Sequence, residues 1–93
     1  MTVFAATYDY APEHRDAREE NKPRHREWLT EQVAAGRVLT VGPFTDGSGA
    51  LLVVEADSAD DARALLERDP HLERGLVAGV TIREWTPVFG ALA

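Results

Sequence analysis

A histidine at position 25 stands three residues before Trp28 and four before Leu29, on a segment whose apolar positions continue through Val33. Residues three and four apart share one helix face, so this spacing puts an imidazole on the stripe that should meet a sheet. Far along the chain, Asp69 precedes Pro70 just after a second amphipathic segment, at an element end from which a carboxylate could reach inward. One imidazole and one carboxylate near the same sheet suit proton transfer. Histidine alone has an unperturbed pKa near neutrality, and a carboxylate within hydrogen-bond reach fixes its tautomer and favours its protonated form. Each residue also has a plain structural alternative. His25 could be a partly buried ring beside Trp28 bonded to one carbonyl, and Asp-Pro is a common turn initiator.

Two further features bear on a pocket. Gly42-Pro43 interrupts an apolar strand, and both residue types weaken a regular ladder, so a bulge or bend there would bring backbone close to a ligand or simply mark a sheet edge. Tyr8 could offer a phenol to the same space, against the alternative of a half-buried core tyrosine. Other chemistries find no support. His14, His25 and His71 show no HxxxH or HxH spacing, so no metal site is expected. Gly47-Ser48-Gly49 is a turn by composition and lacks the GxSxG of a nucleophile elbow. Neither a P-loop nor a GxGxxG is present, and no cofactor is expected.

The elements that must position these groups follow from periodicity. Val3 to Tyr10 alternates as a first strand, with Phe4, Ala6, Tyr8 and Tyr10 on one face and Val3, Ala5 and Thr7 on the other. A charged stretch from Glu13 to Lys22 is weakly patterned. An amphipathic helix is predicted from about Pro23, which fits a first helical turn, to Ala35, with Gly36 as its C-terminal cap. Val38 to Phe44 and Ala50 to Ala56 form a hairpin around Thr45–Gly49. Ser58 followed by Asp61 resembles a capping box and opens a helix that buries Ala59, Ala62, Leu65 and Leu66. Asp69-Pro70 stops it, an irregular segment follows, and Val80 to Trp85 is the last strand before a tail from Val88 to Ala93.

The order β-α-β-β-α-β is the split βαβ pattern of an α+β ferredoxin-like sandwich, a four-stranded antiparallel sheet with both helices on one face. The strands read as apolar on both faces, so the second face needs a cover. A homodimer packed sheet against sheet, the dimeric α/β barrel, is the expected answer.

Length and charge set the remaining bounds. The chain has 93 residues, read as a single domain over 1–93, and a thin core that oligomerisation would help. Its net charge of −6 argues against nucleic acid as a partner. The basic residues of His14–Arg26 alternate with Asp16, Glu19, Glu20 and Glu27 and read as a solvated face laced with ion pairs. No apolar run nears the roughly 20 residues of a membrane span, no signal peptide is evident, and there is no cysteine. A soluble cytoplasmic protein is the expectation.

The ordered landmarks Lys22-Pro23-Arg24-His25, Gly36, Val41-Gly42-Pro43-Phe44, Ser58, Asp69-Pro70, Gly75 and Trp85 resemble those of the YCII-related proteins. The resemblance implies a ferredoxin-like fold dimerising as an α/β barrel, with His25 and Asp69 as the pair proposed for the family's active site. It also implies kinship with barrel dimers that include lactone isomerases, eliminating enzymes and cofactor-free monooxygenases. Two positions depart from the pattern. Arg26 follows His25 where an apolar residue is usual, and His71 follows Pro70 where Phe or Tyr is common. His71 therefore enters as a pocket-lining residue and an additional titrating group.

The leading expectation is a lyase or isomerase without metal or organic cofactor. In it His25 moves a proton on a small cyclic or aromatic substrate, Asp69 orients it, and Tyr8, Gly42, Pro43 and His71 line the pocket. The rivals are a non-catalytic small-ligand-binding or sensor module of the same fold, and a structural dimer with no pocket.

Overall fold

Alternation along the first strand sends Phe4, Ala6 and Tyr8 to one side, where all three are buried, and leaves Val3, Ala5 and Thr7 half-covered on the other. That strand is central in the computed structural model, which describes residues 2–93. The elements are β1 (Thr2–Asp9), a 3₁₀ turn (Pro12–His14), α1 (Arg15–Ala34), β2 (Val38–Pro43), β3 (Gly49–Ala56), α2 (Ala59–Leu66), the one-turn helix α3 (Pro70–Glu73) and β4 (Gly79–Trp85). The sheet is antiparallel throughout, in the order β2-β3-β1-β4. Phe4, Ala6 and Tyr8 pack with Leu52 and Val54 of β3, Trp28 of α1, and Ala62 and Leu66 of α2 in one core. Both long helices therefore cover the same face, and the fold is the ferredoxin-like α+β sandwich. The other face carries Leu51 and Trp85 as partly exposed apolar side chains. Among the described residues no helix is long and apolar enough to cross a membrane.

Helix α1 departs from the sequence expectation. It runs 20 residues from Arg15, so Pro23 lies inside it and not in its first turn. Proline removes the hydrogen bond that its own N–H would give to the carbonyl four residues back. Both Glu19 and Pro23 are exposed, so water can serve the freed carbonyl and the helix continues. The N-terminal half was illegible to an apolar pattern because its inward stripe is polar. His14, Arg18, Asn21 and His25 follow one another at spacings of four and three, and only then does Trp28 restore an apolar residue. Nor is this stretch a face laced with ion pairs. Among the described residues only Lys22 and Glu19 pair within it, at 3.7 Å, and Arg18 is buried.

Gly36 at the end of α1 and Ser58 at the start of α2 cap their helices as expected, and Gly75 caps a helix that was not expected. Gly36, at φ +76°, closes α1 in a Schellman motif, with Gly36 N–H to Val33 O and Arg37 N–H to Gln32 O, both 3.0 Å. Gly75, at φ +70°, closes α3 in the same way, with Leu76 N–H to His71 O at 2.9 Å. Ser58 Oγ accepts from Asp61 N–H at 3.1 Å. The segment after Asp69 is not irregular as expected. It is the α3 turn, capped by Asp69 itself. Strand β2 also keeps its ladder through Gly42 and Pro43, which face Leu51 and Ala50. The register shift lies between Val38 and Thr40 instead. Pro43 is tolerated because β2 is an edge strand.

Gly49 pairs with Asp9 at the end of the β1–β3 ladder. A Cβ there would overlap the backbone carbonyl of Tyr8. Gly49→Ala should therefore push the strands apart and cost on the order of 1–3 kcal/mol, read as a lowered urea midpoint at unchanged slope.

Candidate active site

The site is assembled around one buried carboxylate. Asp69 is fully buried at the start of α3. Its Oδ1 accepts the backbone N–H of His71 at 2.8 Å, the bond that caps the helix. Its Oδ2 accepts the phenol of Tyr8 from β1 at 2.8 Å and faces His25 Nε2 of α1 at 3.1 Å. Asp-Pro is thus both a helix start and a meeting point. A carboxylate oxygen accepts, so His25 carries a proton on Nε2, and in the neutral ring Nδ1 holds the free lone pair.

Tyr8 does not line the pocket. Its hydroxyl is committed to Asp69, and burial, reinforced by the Asp69 charge and their hydrogen bond, pushes its pKa far above the usual phenol value. It donates to Asp69 as a neutral phenol. Tyr10, one turn of the pleat further on, is also raised, first by burial and then by Asp69, against the opposing Arg18 charge. The Arg18 guanidinium lies 4.2 Å from the Tyr10 ring centre and donates to the carbonyls of Ala11 and Leu76, both at 3.1 Å. It ties the start of α1 to the end of α3.

The His25 ring packs on His71, with ring centres 3.8 Å apart and planes 21° from parallel. His71 Nδ1 meets the side-chain amide of Asn21 at 3.0 Å, and Asn21 Oδ1 accepts from Arg74 at 3.2 Å. Arg18, Asn21 and Arg74 were missed in the sequence. Polar residues at positions 14, 18, 21 and 25 do follow helical spacing, and that periodicity of polar groups was the signal available.

His25 and His71 open onto a pocket of about 400 Å³ between α1 and the β2–β3 hairpin. Its floor includes Leu29, Val41, Gly42, Pro43 and Ala50, and its rim carries Arg15, Lys22 and Arg26 with Glu19 as the acidic member. Gly42 and Pro43 thus line the pocket through regular strand, without the bend expected of them. Among the described residues no cluster of three or more His, Asp or Glu is placed to hold a metal ion.

The chain thus joins a ferredoxin-like sandwich to a pocket-lining histidine that is bonded to a buried carboxylate behind it. The chain belongs to the YCII family: residues 2–86 match the YCII-related domain. It is 36% identical over 67 residues to the uncharacterised protein YjpA of Bacillus subtilis (strain 168), covering 72% of this chain and 78% of that one. Among solved structures it is similar to 5-chloro-2-hydroxyhydroquinone dehydrochlorinase (TftG) from Burkholderia phenoliruptrix AC1100, in complex with 2,5-dihydroxybenzoquinone. That match has a TM-score of 0.79 and 25% identity, and covers 90% of this chain and 93% of the other.

His71 predicts a pH dependence. Burial, then the neighbouring His25, lowers its pKa from 6.5 to about 4, with Arg18 adding and the Asp69 charge opposing. Between these values the unfolded chain binds the proton and the folded one does not, so stability is present above the unfolded value and is lost as pH falls. His71→Gln should remove this contribution and lessen the stability lost from neutrality to pH 4 by on the order of 1–2 kcal/mol in urea titrations, allowing for solvent screening.

Proposed function

We propose that this chain is a small-molecule enzyme that moves a proton on an oxygen-bearing ring compound, by elimination or isomerisation. The observation that carries this reading is His25, bonded through Nε2 to buried Asp69 and sharing a pocket wall with its ring. In the neutral ring Nδ1 is the base. It takes a proton from carbon or hydroxyl, and the electron pair left behind expels a leaving group or shifts within the ring. For isomerisation the proton is then returned to another atom. Asp69 holds the ring's orientation and offsets the charge formed on it. The step as written uses protein groups alone.

Two features narrow the substrate. Arg15, Lys22 and Arg26 face Glu19 alone around the rim, in a chain whose net charge is −6. A local excess of cations in an acidic protein favours an anionic substrate. The similar dehydrochlorinase acts on a chlorinated, hydroxylated ring, and compounds of that kind lose a proton from a ring hydroxyl easily. Elimination of hydrogen chloride from a chlorinated hydroxyquinol is the first reaction to try, followed by chloride release and ultraviolet absorbance. A folded His25→Ala chain should be slower by roughly 10²–10⁴-fold, the usual worth of a general base. Full turnover in that variant would remove His25 from the mechanism. Tight binding without turnover, undiminished in His25→Gln, would point to a sensor or accessory module.

The open sheet face supports assembly as a homodimer, sheet against sheet. Leu51 and Trp85 are partly exposed there, and the arrangement buries both. Sedimentation at micromolar concentration should give a dimer, and Leu51→Glu, which places a charge in that seam, should give a monomer. A wild-type monomer would rule the arrangement out.

A further inference from the structure

His71 occupies the pocket wall but takes no part in the proton transfer assigned to His25, and its surroundings say what it is for. Arginine only donates, so the 3.2 Å contact from Arg74 requires that Asn21 present its oxygen to the guanidinium. The opposite amide orientation would set two donors against each other. Asn21 must then turn its NH₂ toward His71, and the 3.0 Å contact makes His71 Nδ1 an acceptor. A neutral imidazole with an accepting Nδ1 carries its proton on Nε2. Among the described residues Nε2 has no hydrogen-bond partner, yet the one fully buried side-chain polar atom left without a partner there is His14 Nδ1. Nε2 is therefore not fully covered, although His71 as a whole is buried, and the ring lines the pocket.

We propose that His71 is the pocket's neutral hydrogen-bond donor, its proton held on Nε2 by Asn21 and Arg74, and that it engages a substrate oxygen while His25 exchanges the proton. The proposal rests on the reading of the site as a proton-transfer pocket. Asn21 and Arg74 are positioning residues that act through His71. The charged and titratable groups around the ring agree with a neutral state. His25 stacks on it from α1, Arg18 and Arg74 are cationic, and Asp69 is occupied by Tyr8, His25 and the His71 backbone. Two imidazoles in contact then divide the work, one accepting and losing a proton and the other donating a hydrogen bond without changing charge. A neutral donor suits an oxygen that gains charge during reaction, since it stabilises that charge without binding the ground-state anion too tightly.

The test is ring nitrogen NMR on the whole protein, with salicylate as the probe because it sets a phenol beside a carboxylate on one ring. From pH 8 to pH 5 the His71 signals should stay those of a protonated Nε2 and a bare Nδ1. Asn21→Asp replaces the donor with an acceptor, and it should move the proton to Nδ1 and raise the pH at which the ring charges. Arg74→Gln, at an exposed position, should leave the fold intact and give a mixture of tautomers. Salicylate should shift the Nε2 proton downfield in the wild type. A protonated Nδ1, a ring that charges near pH 6.5, or salicylate that leaves the Nε2 proton unmoved would overturn the proposal. The tautomer is read without turnover, so an inactive protein with the expected signals would sink the enzymatic reading alone, and an active one with reversed signals would sink this proposal alone.

Discussion

Burial of the Asp69 carboxylate is the constraint on which the rest of this structure depends. Taking a carboxylate out of water costs several kcal/mol, even after relaxation, unless donors replace the lost hydration. Three donors do so here: a phenol from β1, an imidazole from α1 and a backbone N–H from α3. Each comes from a different element, so the same bonds that satisfy the charge also fix the three elements relative to one another. Tyr8 must then remain a phenol, and the imidazole of His25 must keep a proton on the nitrogen that faces Asp69. The proton arrangement of the pocket-lining His25 ring is therefore set from behind, by Asp69 and Tyr8, neither of which lines the pocket.

The polar stripe of α1 is the second consequence. A helix that lays Arg18, Asn21 and His25 against the body of a protein gives up the apolar burial that usually holds such a helix down. Hydrogen bonding must compensate, since buried polar groups are costly only when unpaired. Arg18 bonds to two carbonyls, Asn21 bridges Arg74 and His71, and His25 bonds to Asp69. Apolar anchoring is left to the other half of the helix, where Trp28 enters the core. One half of α1 holds the helix in place and the other half furnishes the site.

These two facts explain how far the site was legible in the sequence. His25 was placed on the inward face because Trp28 and Leu29 share its side, and that inference uses only helical geometry. Asp69 was placed at an element end because Pro70 follows it. Their contact across 44 residues could not be read, since nothing local links them. The polar stripe upstream went unread because the pattern sought was apolar. Its periodicity was present, but polar residues at helical spacing usually mark a solvated face. Pro23 misled for a related reason. A proline suggests a helix start unless the carbonyl it strands can reach water, and exposure is a property of the folded chain.

Local chemistry determined a great deal by itself. Alternation in the strands, glycines at the ends of α1 and α3, and the serine cap of α2 depend on neighbours within a few residues, and they dictate the βαββαβ order and hence the ferredoxin-like sandwich. Tertiary structure alone decided which polar groups met. It set the His25 ring on His71, joined the inward-facing Tyr8 phenol to Asp69, and brought the Arg15, Lys22 and Arg26 face of α1 over the β2–β3 hairpin. The reason is physical: helix caps and strand alternation are short-range, whereas the partner of a buried charge is chosen by whichever donors the packed elements bring within about 3 Å.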